Sequence, residues 1–155
     1  MADSSLMPEI FTMPVSHKLY TVLATVLFTF SAFAQSTVYT PKPGSPERKQ
    51  IMDALRAPVE KALKKSVEFK VDHLKVKNDW AFMRGVPKQP GGKRMDYKGT
   101  EYQGAIEDGV FDDWICALLK KEKDKWKVVR YVIGATDVAY EGWDKEFGIE
   151  SEIFQ

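Results

Sequence analysis

WICALLKKEKDKWKVVRYVIG, residues 114–134, is the stretch that decides the fold. Two apolar, β-branched and aromatic runs, 114–120 and 126–134, flank the charged segment Lys121-Glu122-Lys123-Asp124-Lys125, which predicts a β-hairpin. Both faces of this ribbon are apolar. Ile115, Ala117 and Leu119 lie on one side; Trp114, Cys116 and Leu118 lie on the other. On the returning run, Val128 and Val132 oppose Val129, Tyr131 and Ile133. A strand with one wet face alternates apolar with polar, so these two strands are expected to be central and covered twice. One cover is an amphipathic helix. The other is further chain, a ligand cavity or a second subunit.

Upstream, Ser45-Pro46-Glu47 carries a helix start: a serine N-cap, proline in the first position and an acid in the first turn. Ile51, Met52, Leu55, Val59 and Leu63 recur at helical spacing after it. Pro58 predicts a kink or a two-piece helix. From Val67 the period falls to two through Phe69 and Val71, then resumes at Leu74 and Val76 on the other parity. That slip predicts a bulge at Asp72-His73. Asn78-Asp79 is the expected turn into a strand over 80–86, and Pro87 to Gly99 is loop by composition. Thr100 with Gln103 predicts a capping box for a short helix through Ile106, stopped by Gly109. Thr136 or Asp137 is expected to cap a short C-terminal helix ended by Gly148, with Ile153 and Phe154 docking the tail. The fold class is therefore α+β: a curved four-stranded antiparallel sheet of two hairpins packed on an N-terminal helix, with short helices before the second hairpin and at the C-terminus.

Residues 19–34, LYTVLATVLFTFSAFA, set the destination. They follow His17-Lys18 and end in Ala32-Phe33-Ala34, which is the grammar of a secretory signal cut after Ala34. The run is shorter than a membrane span and is interrupted by Thr21, Thr25, Thr29 and Ser31. Asp3 and Glu9 do not suit an n-region, and a start at Met13 removes them. The expected organisation is a signal peptide over 1–34, an extended leader over 35–44 and one α+β domain over 45–155, exported to the periplasm or medium, with no membrane attachment after cleavage.

Removing Lys18, Asp3 and Glu9 from the 23 basic and 22 acidic residues leaves a chain only two charges positive. That balance gives no electrostatic case for nucleic acid. Cys116 is the only cysteine, so no internal disulfide forms, and its apolar neighbours mark it as a buried hydrophobe.

The whole segment after the signal resembles small secreted bacterial proteins of unknown function. The likeness rests on Trp80-Ala81-Phe82 with Gly85 and Pro87, Pro90-Gly91-Gly92, Gly109-Val110-Phe111-Asp112-Asp113, Trp126-Lys127-Val128-Val129, and Gly134-Ala135-Thr136-Asp137-Val138. It implies no activity and supplies no catalytic residue. At the level of fold the pattern is similar to the NTF2-like or cystatin-like class, in which a curved antiparallel sheet wraps a helix. Many NTF2-like members hold a small ligand in the concave face. Such domains usually have more helix before the sheet and longer strands, so the cystatin-like version stays open.

Three groups of residues are candidates for chemistry. His73, the only histidine after residue 34, is the candidate acid/base; a pairing with Cys116 lacks the local sequence of cysteine hydrolases. Asp112 and Asp113 are candidate carboxylates, although adjacent residues in extended chain point to opposite faces. Lys93, Arg94, Tyr97 and Tyr102, with Lys88 and Lys98, form a cationic and aromatic group on the 87–103 segment, suited to an anionic glycan, a peptide carboxylate or an acidic protein surface. No metal or cofactor is expected. The leading functional expectation is an exported noncatalytic module for a small ligand or an envelope partner. The alternatives are a pocket enzyme of isomerase, dehydratase or hydrolase type using His73 or an inward carboxylate, and an inhibitor or immunity-type protein acting on another exported protein. A homodimer through the sheet is compatible with each.

Overall fold

A computed structural model describes residues 37–155. The expected signal segment and its cleavage site lie outside the described residues. The elements run α1 (Pro46–Leu63), β1 (Glu68–Lys77), β2 (Trp80–Gln89), β3 (Lys93–Arg94), α2 (Gln103–Glu107), β4 (Ile115–Glu122), β5 (Lys125–Ile133), α3 (Trp143–Phe147) and a 3-10 turn, Ser151–Phe154. This is an α+β arrangement with an open, curved antiparallel sheet in the order β1-β2-β4-β5. The sheet has five strands rather than four. β2 runs past Val86, and beyond the Gly91-Gly92 turn the short β3 pairs back onto it at Lys88 and Gln89. Along β2 the neighbour changes from β4, which ends at Gly85, to β3, with the donor-less Pro87 between.

α1 starts as its sequence dictates: Ser45 is extended (φ −67°, ψ 148°) and its hydroxyl accepts from the Arg48 N–H at 3.3 Å. Pro58 does not split the helix, which continues from Pro46 to Leu63. Pro58 removes one donor, but burial of Val59 and Leu63 on either side of the next turn outweighs that loss. Each buried aliphatic contributes roughly 1.5–3 kcal/mol, so the two together offset the ~3 kcal/mol that a proline inside a helix costs through its missing donor and ring clash.

The first core lies between α1 and one face of the sheet. Ile51, Leu55, Val59 and Leu63 pack on Leu74, Val76, Ala81, Met83, Ile115, Ala117, Leu119 and Trp126. The helix fills this face with side chains that have no solvent exposure. The second core lies on the opposite face, where Phe82, Cys116 and Leu118 meet Trp143, Ile149 and Ile153. Of the three possible covers for that face, the one present is the chain's own C-terminal segment, with Ile153 and Phe154 docked as expected.

β4 is thus central and doubly covered, with five consecutive buried residues from Ile115 to Leu119. β5 departs from the expectation. It is a sheet edge, and Val129 is 41% exposed. The register shifts between Leu118 and Leu119, which pair with Arg130 and Val128, so Val129 is an extra residue. The bulge puts Val128 on the α1 face together with Tyr131 and Ile133, not opposite them. The turn is also tighter than the charged run implies: Lys123 and Asp124 alone make it, both at positive φ (48° and 62°).

The bulge in β1 is where the parity slip places it, between Val71 and His73. Gly85 faces it across the ladder. A Cβ there would lie 2.3 Å from the Lys70 carbonyl oxygen, so the close backbone approach requires glycine. In the described part of the segment before α1, Tyr39 bridges Val76 and the chain turns at Pro43-Gly44, where the Ser45 N–H donates to the Lys42 carbonyl at 3.0 Å.

Candidate functional site

The segment after β3 is a tethered wall, not a free loop. Lys65, just beyond α1, reaches the Asp96 carboxylate at 2.9 Å and the Lys98 carbonyl at 3.3 Å. Lys64 reaches the Gly99 carbonyl at 3.3 Å. The Thr100 hydroxyl donates to the Tyr97 carbonyl at 2.6 Å. The expected capping box is absent: Gln103 Oε1 accepts from the Gly99 N–H, and the α2 N-cap position falls to Tyr102 without a side-chain bond. These tethers turn Tyr97 inward, leaving it 7% exposed.

Facing this wall are α2 and the strand-like approach to β4. The Asp112 N–H donates to the Gly134 carbonyl and the Gly134 N–H to the Trp114 carbonyl. That pairing lays the Phe111 ring over Gly134. A Cβ on Gly134 (φ +81°) would sit 2.0 Å from Phe111 Cε2, so the bare glycine sets where the ring stands. Phe111 then meets Tyr97 edge-on with centroids 4.7 Å apart, and Tyr102 closes the trio at 6.0 and 6.3 Å.

Between the two walls lies an open groove of about 550 Å³. Met95, Tyr97, Ile106 and Phe111 form its apolar part; Arg94, Lys98, Gln103 and Asp113 are among its polar groups. Asp113 accepts from the Tyr97 hydroxyl at 2.5 Å, and Arg94 Nε stands 3.8 Å from the other carboxylate oxygen. Burial, reinforced by that carboxylate, pushes the Tyr97 phenol far above its ordinary range. Burial also lifts Tyr102, to about 12.

The structure therefore brings together Arg94, Tyr97, Tyr102 and Asp113, which the sequence offered as two separate groups. Lys93 is exposed on β3, outside the groove lining, and Asp112 is exposed on the other side of the chain from Asp113. Sequence reasoning missed Phe111 and Ile106. The signal for Phe111 was an aromatic held between the Gly109 stop and a carboxylate.

His73 is on the second face of the sheet, away from this groove. Its Nε2–H donates to the Ile153 carbonyl at 2.8 Å and its ring meets Phe82 at 5.5 Å. Burial, with Arg84 and Lys75 nearby, holds its pKa below the ordinary value despite that bond. Cys116 shares the face but is two strands away, with Arg84 on the strand between. Burial pushes its thiol up to about 11. An imidazole and a buried thiol two strands apart, with Arg84 on the strand between, are not within reach to make a nucleophile pair.

Thr136 and Asp137 do not cap α3, whose N-cap position is Gly142; Gly148 (φ +64°) does end it. Among the described residues no group of three His, Cys, Asp or Glu side chains is placed to hold a metal ion, and no helix is long and apolar enough to cross a membrane. No protein-family model, curated protein or solved structure matches the chain.

Proposed function

We propose that the chain is an exported, noncatalytic binding module and that its site is the groove between the 94–98 wall and Phe111 with α2. The observation that carries this reading is the groove itself: about 550 Å³, with Met95, Tyr97, Ile106 and Phe111 alongside charged and amide side chains. Small-molecule sites have that size and combine apolar surface with orienting polar groups. Its ionisable core, Tyr97 on Asp113, is arranged to stay put, because a phenol driven upward and bonded to a carboxylate is a poor proton relay at neutral pH. The candidate acid/base His73 is engaged on the opposite face of the sheet. Both considerations weigh against the pocket-enzyme alternative.

Export rests on the signal grammar of residues 17–34. At the finer level of fold, we infer the cystatin-like version over the NTF2-like one. The supporting features are a single long helix before the sheet and a meander whose strand order follows the chain.

The test is a fragment screen by amide-resolved NMR on the exported chain, after intact-mass measurement of its N-terminus. The reading expects Gln35 as the first residue and fragment-induced shifts concentrated at residues 94–113. An uncut N-terminus refutes export. Shifts centred on His73 and Cys116 refute the assignment of the site.

A further inference from the structure

Taking the groove as the binding site, a reading on which this inference rests, we propose that its ligand class is a small organic acid: one carboxylate on an apolar, unbranched or aryl body. The polar rim is asymmetric in what it leaves available. Its three carboxylates are engaged. Asp96 takes Lys65 and the Lys98 N–H at 3.0 Å, Glu107 takes the Gln103 amide at 2.7 Å, and Asp113 takes the Tyr97 hydroxyl. The cations are not engaged in the same way. The Arg94 side chain is 84% exposed, and among the described residues its one ionic partner is Asp113 at 3.8 Å through Nε, with neither terminal nitrogen bonded. Among the described residues the Lys98 side chain makes no hydrogen bond or ion pair either, although its charge lies near Asp96 and its N–H and carbonyl hold the wall in place.

A planar guanidinium with two free terminal nitrogens receives a carboxylate in a fork. Apolar surface lines the same groove: Phe111, and Ile106, which is 40% exposed. The geometry disfavours a sugar. Tyr97 is 7% exposed and has Phe111 and Tyr102 against it, so it offers no open ring face for stacking. What remains is one guanidinium with open terminal nitrogens beside the apolar side chains of Ile106 and Phe111, which matches an anionic head on a hydrocarbon or aryl body.

The test uses three probes of equal chain length, octanoate, 1-octanol and octyltrimethylammonium, titrated into the exported chain and followed at the amides of residues 94–113. The proposal expects octanoate to bind at least about fivefold more tightly than octanol, the scale of one solvent-exposed charge-assisted contact. Arg94→Gln, which changes an 84% exposed side chain, should erase that advantage and leave octanol unchanged. Asp113→Asn should tighten octanoate, since it removes the carboxylate that competes for Arg94. Tighter binding of octyltrimethylammonium than octanoate overturns the anionic class and leaves the groove as a binding site. Equal binding of octanoate and octanol does the same. No shift at these amides with any of the three overturns the proposal and the groove reading together.

Discussion

Replacing Phe82 by alanine probes the second core at its centre. The ring is fully buried on β2, with Phe154 at 4.7 Å, Tyr140 at 4.8 Å, His73 at 5.5 Å and Trp143 at 6.4 Å. Phe→Ala in a core costs roughly 3–5 kcal/mol. A domain of this size is stable by only about 5–15 kcal/mol, so Phe82→Ala should lower the urea midpoint by a large fraction without abolishing folding. The informative quantity is the coupling to Phe154, which belongs to the C-terminal turn. An aromatic pair at this separation contributes about 0.5–1.5 kcal/mol beyond burial. The double variant Phe82→Ala/Phe154→Ala should therefore be less destabilised than the two single effects added, by about that amount. Urea unfolding followed by far-UV circular dichroism measures all three variants. Val129→Ala, on the exposed edge, is the control and should shift stability by no more than about 0.5 kcal/mol. Strictly additive effects would mean that the C-terminal segment does not lie on Phe82, and the two-core arrangement would fail.

Other consequences are cheaper to check. Cys116, unexposed and with its thiol lifted to about 11, should resist a thiol reagent at pH 8 in the native state and react once in urea; fast native labelling would show an open second core. Tyr97 and Tyr102 have raised folded-state pKa values, so the unfolded chain holds fewer protons above pH 10. Stability should fall as pH climbs past that point, and tyrosinate absorbance should appear together with unfolding; full ionisation in a still-folded chain would contradict the burial of these rings. Gly134→Ala must displace Phe111 and strain a positive φ. It should cost about 1–3 kcal/mol and broaden the amide signals of residues 94–113, whereas a silent substitution would remove the account of how Phe111 is placed.

The double-sided burial of residues 115–119 was legible because the apolar residues of β4 occupy both parities, and the β1 bulge because its parity slips between Val71 and Leu74. The β5 bulge was hidden: Val128 and Val129 are both apolar, so the extra residue leaves no break in the pattern, and only the pairing with Leu118 and Leu119 reveals it. β3 is two residues, too short for any period. For the site, the charges and rings of Arg94, Tyr97 and Tyr102 were visible as a cluster. Their meeting with Asp113 was not, because it depends on Lys64 and Lys65 pinning the wall and on Gly134 seating Phe111, both contacts between residues far apart in the chain. The false capping box at Thr100 has the same origin: Gln103 turns back to Gly99, and the Thr100 hydroxyl is bonded to Tyr97.

Incubating the chain with a pool of small metabolites, separating bound from free, and weighing both fractions by mass spectrometry tests the binding account most directly. A noncatalytic groove predicts that retained molecules come off the denatured protein unchanged, at no more than one per chain, and that Ile106→Asp releases them. A new product accumulating beyond one per chain, or retention indifferent to Ile106→Asp, would contradict it.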